Sequence, residues 1–242
     1  MRFHEISTGF LRLQPDNGRK SFHTMNTNEL VLRIRANWRY KTMLSVVLTS
    51  LVWTAYLLLQ WHPFFRVTIL QPSGLDRMIP FVPSTVYLYE SLLLLMPIAP
   101  WLMKSKAELN QYTKGLLAVS LAGFVFFLLY PTAITRSIVP QDTNFLYRTL
   151  VQIDGESNVF PSLHSAFAVF HAACCCVVFR TGPGHNGIRR FFQGWALAII
   201  AATLLTKQHV VLDAVAGAAL GFAGFAFFYH SPKESWKDTK QS

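Results

Sequence analysis

Charged residues are scarce in this sequence. Asp, Glu, Lys and Arg make up only 14% of its 242 residues, although about a quarter is usual in soluble domains. Apolar residues account for 52% of the chain. This composition argues against an ordinary soluble domain and favours an integral membrane protein.

Acidic residues are the scarcer of the two charge classes. The chain has 12 Asp and Glu against 22 Lys and Arg, which gives a formal net charge of +10. A basic excess can indicate nucleic-acid binding, but in a membrane protein Lys and Arg mark the cytoplasmic side and contact anionic lipid. We therefore expect membrane lipids as partners and no nucleic acid.

Cysteine is rarer still, and its arrangement excludes a disulfide framework. The three cysteines, Cys174, Cys175 and Cys176, are consecutive within an apolar run. This spacing suits neither paired disulfides nor a metal site. We expect them to be packing residues, and we expect neither a metal nor another cofactor.

A signal-peptide pattern is also missing from the N-terminal region, because residues 1–42 are polar and basic. We expect this region to be a cytoplasmic segment, with an interfacial helix as one form it could take. Residues 43–230 are predicted to form one domain, and residues 231–242 a polar cytoplasmic tail.

Six apolar runs are long enough, or nearly so, to cross about 30 Å of hydrocarbon. They predict an all-α fold, an integral membrane bundle of six transmembrane helices. The runs fall at residues 43–59, 84–103, 115–130, 162–179, 191–206 and 210–229.

The distribution of basic residues predicts the orientation of this bundle. Seventeen of the 22 Lys and Arg lie in the N-terminal segment, two alternate loops and the tail, and five lie in the other loops. Since positively charged segments resist translocation, both termini are expected to be cytoplasmic. The loops before the fourth and sixth spans then face the periplasm, lumen or cell exterior.

Those two loops carry the motifs "FPSLHSAF" and "TKQHVVLDAVAG". Pro161 fits the first turn of a helix and Ser162 fits a cap, so the first motif predicts the start of the fourth span. Thr206 can open the sixth span in the same way. Two helix N-termini at one face would bind phosphate through their backbone N–H groups and dipoles.

The second motif places His209 and Asp213 four residues apart, on one face of the predicted sixth helix. The carboxylate can fix the tautomer of the imidazole and leave its other nitrogen as a nucleophile or base. His164 can act as the general acid that protonates a leaving oxygen. The three side chains together predict a phosphoryl-transfer site.

These motifs resemble those of the type-2 phosphatidic acid phosphatase superfamily, in particular its inositol phosphorylceramide synthase branch. The stretch "DRMIPFVPSTVYLYES", residues 76–91, is also similar to a segment of that branch. The resemblance implies that His209 attacks phosphorus to form a phosphohistidine, that Asp213 orients it and that His164 protonates the departing alcohol. Ser162 and the nearby Ser165 would hold phosphate oxygens.

The chain departs from the superfamily pattern where cations are expected. The Lys and Arg-Pro of the first superfamily motif are missing, and Ala202-Thr203 stand where Ser-Arg is usual. Three cations near the motifs on the outer side are the candidates to bind the phosphate: Arg136, Arg148 and Lys207.

The predicted activity is that of a lipid phosphatase or phosphotransferase acting on a lipid phosphate or phosphodiester at the outer face. The membrane would be the plasma or inner membrane, or one of the secretory pathway. The residues alone also permit a structural His–Asp pair, a zinc site of two His and one Asp, or a non-catalytic or transport protein that binds an anionic lipid or ligand.

Overall fold

The computed structural model describes residues 27–135, 143–155, 157–179 and 185–229. Residues 1–26 of the predicted N-terminal segment and the predicted tail lie outside this part, and so does Arg136. Within it the chain forms α1 (Thr27–Arg35), α2 (Trp38–Trp61), β1 (Thr68–Leu70), α3 (Gly74–Met78), a 3₁₀ turn (Pro83–Thr85), α4 (Val86–Glu90), α5 (Leu92–Leu102), α6 (Lys106–Leu129), β2 (Thr132–Ile134), α7 (Phe145–Ile153), α8 (Leu163–Val178), α9 (His185–Leu205) and α10 (Val211–Tyr229).

The predicted helical membrane architecture is confirmed in its main features. In the described ranges, five helical stretches are long and apolar enough to cross a membrane: Trp38–Trp61, Pro83–Leu102, Lys106–Leu129, His185–Leu205 and Val211–Tyr229. The fourth predicted span corresponds to α8, whose 16 residues extend about 24 Å at 1.5 Å per residue. The count of six spans therefore stays a prediction.

Two spans differ from their predicted form. The second consists of the 3₁₀ turn, α4 and α5 in succession, and Pro97 and Pro100 lie inside α5. The third begins at Lys106, nine residues earlier than predicted, because Ser105 and Glu108 form a reciprocal capping box. Capping stabilises the polar first turns, which the apolar run did not include.

One end of the bundle, here called the site end, contains the ends of α2, α6 and α9 and the starts of α8 and α10. The backbone N–H of Val82 donates to Leu205 O over 2.9 Å at this end, and that of Ser162 donates to Asp213 O over 3.0 Å. β1 and β2 continue from α2 and α6 and pair in parallel, with Thr68 opposite Thr132. The sequence analysis predicted an all-α fold and did not predict this small sheet.

The bundle buries α8 and exposes an apolar surface. Ala166, Phe170 and Cys174 of α8 are fully buried against neighbouring helices. Large apolar side chains of the outer helices are exposed instead, as suits contact with hydrocarbon and not with water. Examples are Val46 and Leu51 of α2, Leu121 of α6, and Val215 and Phe227 of α10.

Candidate active site

The first motif forms the N-terminus of α8. Ser162 is its N-cap, as predicted, and the Ser162 hydroxyl accepts from the backbone N–H of Ser165. Pro161 precedes the cap instead of occupying the first turn. The backbone N–H of Phe160 donates to the Thr132 hydroxyl over 2.9 Å, so β2 holds the segment that enters α8.

His209 and Asp213 form the predicted pair, but not within one helix. Nδ1 of His209 lies 3.0 Å from Oδ2 of Asp213, and both residues are buried. His209 stands two residues before α10, which begins at Val211. The i, i+4 placement on a helix face was therefore wrong, although the contact that it predicted is present.

A helix-terminating turn explains the position of His209. Lys207 adopts a left-handed conformation with φ 54°, its N–H donates to Leu204 O, and the N–H of Gln208 donates to Thr203 O. These two bonds define a Schellman motif at the end of α9. Thr206 consequently belongs to the end of α9 and does not open the next span.

The N-terminus of α10 is capped by a carboxylate from far away in the chain. Oδ1 of Asp76 accepts from the backbone N–H of Val211 over 2.7 Å. That N–H is therefore occupied and does not point to a phosphate, unlike the predicted arrangement of two unpaired helix ends. The Lys207 ammonium binds the carbonyl oxygens of Asp76 and Ile79 at 2.8 and 2.5 Å, so α3 fastens the histidine loop on both sides.

These contacts change the titration of Asp76, which lies outside the membrane-spanning helices. Burial alone would raise the pKa of this carboxyl. Hydrogen bonds from the Ser73 hydroxyl and from the backbone N–H groups of Val211 and Ser73, together with the charge of Lys207, outweigh burial and lower the pKa below its ordinary value of 3.8.

His164 lies in the first turn of α8 and faces His209. The centroids of the two imidazole rings are 6.2 Å apart. On its other side, His164 stacks on the ring of Tyr89 with a centroid distance of 4.0 Å, and the Tyr89 hydroxyl lies 3.1 Å from Nδ1 of His164. Two imidazoles, one of them paired with a carboxylate, thus face each other beside the N-terminus of α8.

A second buried carboxylate, Asp154, lies behind His164. The Tyr89 hydroxyl donates to Asp154 Oδ2 over 3.2 Å, and the Tyr56 hydroxyl donates to Oδ1 over 2.5 Å. The Gln60 amide lies 3.4 Å from the same Oδ1. α2, α4 and the end of α7 therefore meet at one carboxylate next to the predicted general acid.

Sequence reasoning missed this second group. Its members, Tyr89, Asp154, Tyr56 and Gln60, lie outside both histidine motifs. The usable signals were a carboxylate at residue 154, shortly before the first motif, and hydroxyl-bearing tyrosines inside apolar runs, where polar groups need partners. His171, another buried histidine of α8, lies outside this group, because its ring nitrogens contact Phe167 O and the Tyr112 hydroxyl.

The remaining predicted phosphate ligands differ in their positions. Ser162 and Ser165 are fully buried, and the Ser165 Oγ has no hydrogen-bond partner among the residues described. The Lys207 ammonium is engaged by carbonyl oxygens, and Arg148 lies on the exposed face of α7. Arg136 falls in a range that is not described. Their role as phosphate ligands stays a prediction.

The arrangement has the parts of an acid–nucleophile pair. The contact with Asp213 engages Nδ1 of His209 and leaves Nε2 for attack on an electrophile. The His164 ring lies 6.2 Å from the His209 ring between centroids, near enough to protonate the leaving atom of a group that His209 attacks. As for the zinc alternative, no group of three His, Cys, Asp or Glu with metal-binding spacing occurs in the described ranges.

Comparison with known proteins adds one finding. No curated protein and no solved structure matches the chain. A family model, that of the PAP2 superfamily, matches residues 73–227, which include α3, both histidine motifs and nearly all of α10. This match covers more than half of the sequence, and the chain therefore belongs to the PAP2 superfamily.

Proposed function

We propose that this protein is a membrane-embedded phosphatase or phosphotransferase that acts on a lipid phosphate or phosphodiester through a phosphohistidine. The observation that carries the proposal is the pair of His209 and Asp213 facing His164 at 6.2 Å between ring centroids. Membership of the PAP2 superfamily supports this class of chemistry.

In the proposed reaction, Nε2 of His209 attacks phosphorus and Asp213 holds the imidazole by its Nδ1–H. His164 gives a proton to the departing oxygen and then removes one from the second nucleophile. Water gives hydrolysis, and an alcohol gives headgroup transfer. Backbone N–H groups at the start of α8, together with Ser162 and Ser165, would stabilise charge on the phosphoryl oxygens.

A lipid substrate suits the location of these groups. The histidines lie at one end of a bundle whose outer helices expose large apolar side chains. A lipid could keep its chains in the hydrocarbon layer while its phosphate reaches the site. The similarity of residues 76–91 and of the two motifs to the inositol phosphorylceramide synthase branch favours headgroup transfer to or from a sphingolipid within this class.

The basic residues support an outer or lumenal position for the site. Arg33, Arg35, Lys104, Lys106 and Lys114 belong to the end of the bundle opposite the histidines. Under the positive-inside rule, that end is cytoplasmic. The proposed reaction therefore takes place at the other leaflet.

The decisive experiment compares purified wild type with His209→Ala on a panel of labelled lipid phosphates and phosphodiesters, with and without alcohol acceptors. We expect the wild type to release or transfer phosphate and to form an acid-labile phosphoenzyme. In His209→Ala, the rates of both processes should fall by about a thousandfold or more. EDTA should leave the wild-type activity unchanged. Product identity distinguishes hydrolysis from transfer.

The matched control is His171→Gln, since His171 is another buried, hydrogen-bonded histidine of α8. His171→Gln should still form the phosphoenzyme if His209→Ala loses activity because it lacks the nucleophile and not because a buried histidine has been removed. Equal activity in wild type and His209→Ala would remove His209 as the nucleophile, and sensitivity to EDTA would favour metal-assisted hydrolysis.

A further inference from the structure

The contacts around His164 assign its protons. A carboxylate can accept hydrogen bonds but cannot donate them, so the bond between Tyr89 and Asp154 uses the one hydroxyl proton of the tyrosine. The Tyr89 oxygen can then only accept from Nδ1 of His164, 3.1 Å away. The remaining ring nitrogen, Nε2, is the one left for the substrate.

We propose that Tyr89 and Asp154 are positioning residues that hold His164 with its proton on Nδ1 and stabilise its imidazolium form as the general acid. This inference rests on the proposed phosphohistidine function and assigns parts of the site that the histidine motifs do not contain. Both histidines would then direct Nε2 toward the substrate phosphate, and the Nδ1 side of each ring would be linked to a carboxylate. Asp213 acts directly on His209, and Asp154 acts through a tyrosine.

The position of Asp154 is well suited to this role. It is 7% exposed and is held by Tyr56 and Gln60 of α2 as well as by Tyr89. These bonds fix the direction of the carboxylate and satisfy its oxygens in a buried setting. A negative charge two hydrogen bonds from the imidazole favours its protonated form electrostatically.

The proton movements balance across both steps. In the first, Nε2 of His209 bonds to phosphorus, the bond to the leaving oxygen breaks with its electron pair on oxygen, and Nε2–H of the His164 imidazolium protonates that oxygen. In the second, neutral His164 takes a proton from water or an alcohol, whose oxygen bonds to phosphorus as the phosphorus–nitrogen bond breaks. Tyr89 and Asp154 neither gain nor lose a proton in either step.

Leaving-group dependence tests the inference. Tyr89→Phe and Asp154→Asn are compared with wild type in single-turnover phosphoenzyme formation from two donors. One donor is a long-chain alkyl phosphate, whose alkoxide leaving group must be protonated. The other is a nitrophenyl phosphate that carries an alkyl chain of equal length on its ring, and its nitrophenolate can leave without a proton. We expect the alkyl donor to react roughly 10- to 100-fold more slowly in both variants and the nitrophenyl donor to lose less than about threefold.

Tyr112→Phe is the matched control, because the Tyr112 hydroxyl also bonds a buried histidine, His171, over 2.9 Å. It should leave both donors unchanged. Equal losses with both donors in Tyr89→Phe, or no loss with either, would overturn the inference. If Asp154→Asn does not fold, Tyr89→Phe alone decides.

A second measurement separates this inference from the proposed function. ¹⁵N spectra of histidine-labelled protein, with His164 assigned through His164→Gln, should show a protonated Nδ1 and an unprotonated Nε2 in the neutral ring, and this preference should be lost in Tyr89→Phe. The opposite tautomer in wild type would refute the inference whatever the activity. A wild type that forms no phosphoenzyme from either donor would instead refute the proposed function.

Discussion

Each histidine at the site is associated with a buried carboxylate, but the two carboxylates reach their histidines differently. Asp213 contacts Nδ1 of His209 directly at 3.0 Å, whereas Asp154 contacts Tyr89, which contacts Nδ1 of His164. A direct carboxylate suits a nucleophile that needs a fixed tautomer. A tyrosine in between keeps the full charge further from an imidazole that must gain and lose its proton in turn.

Asp76 makes the stability of the protein depend on pH in the acid range. Its pKa is lowered in the folded state by the Ser73 and Val211 hydrogen bonds and the Lys207 charge, which outweigh burial. The stabilisation is therefore fully present above the ordinary value of 3.8 and is lost as the pH falls through the lowered pKa. We expect Asp76→Asn to be less stable than wild type at neutral pH and this difference to shrink below that value.

Denaturant unfolding in detergent at several pH values measures this difference. Glu29→Gln, which alters an exposed carboxylate of α1, serves as the comparison. A gap between wild type and Asp76→Asn that stays constant down to the most acidic pH would contradict the assigned role of Asp76.

At this scale the sequence predicted what is local. His209 and Asp213 are four residues apart, and their contact is predictable from that spacing even though α10 begins after His209. Asp154 and Tyr89 are 65 residues apart, and Asp76 and Val211 are 135 residues apart. No periodicity connects such partners, because only the packing of α3, α4, α7 and α10 brings them together.

Among the elements, α8 and α10 determine the distance between the two motifs. The small residues of "AVAGAALG" in α10 permit close packing against α8. A Cβ added at Gly217 would lie 2.0 Å from the carbonyl oxygen of Ser162, and one at Gly221 would lie 2.1 Å from that of Ala166. The two helices therefore pack backbone against backbone beside the cap of α8.

Gly217→Ala should disturb both stability and activity. The obstructing atom is a backbone oxygen, so α8 and α10 must separate, at a cost of about 1–3 kcal/mol or more. Because Ser162 belongs to the first motif, the separation should also slow formation of the phosphoenzyme. Thermal unfolding and single-turnover kinetics measure the two effects.

Gly194→Ala is the control for this substitution, since a Cβ at Gly194 in α9 meets nothing within 4 Å. In an open helical position, Gly to Ala should be neutral or stabilising by up to about 1 kcal/mol. Similar destabilisation by both substitutions would show that the close approach at Gly217 is not the cause.

The elements themselves were predictable where a single long apolar run defines them. Both α2 and α10 match their predicted runs to within a few residues. The start of α6 and the interruption of the second span depend on capping and proline, which hydropathy does not register. Strands of three residues, such as β1 and β2, are too short to show an alternating pattern.

At the scale of the whole molecule, the histidines lie at one end of the bundle, and the basic residues of α1 and of the start of α6 lie at the other. The histidines and the small sheet lie at the site end, while α1 and the start of α6 lie at the opposite end, where Arg33 donates to Leu102 O. The proposed orientation of this axis rests on the positive-inside rule.

Cysteine accessibility tests the proposed orientation. Arg77→Cys in α3 and Lys106→Cys at the start of α6 each replace one exposed basic residue, at opposite ends of the bundle. An impermeant maleimide should label Arg77→Cys in intact cells or sealed vesicles of native orientation, and Lys106→Cys only after permeabilisation. Wild type, whose Cys174 and Cys175 are buried, gives the background, and the reverse labelling pattern would place the site on the cytoplasmic side.

The bond between Asp76 and Val211 also bears on biosynthesis. A ribosome makes residues 73–79 long before α10, so the carboxylate is inserted first and meets its partner 135 residues later. Until α10 enters the membrane, the nascent chain has neither Asp213 beside His209 nor the carboxylate bond that fixes the start of α10. Catalytic competence should consequently appear in a single late step of synthesis, and a nascent chain halted before α10 should not act on the lipids around it.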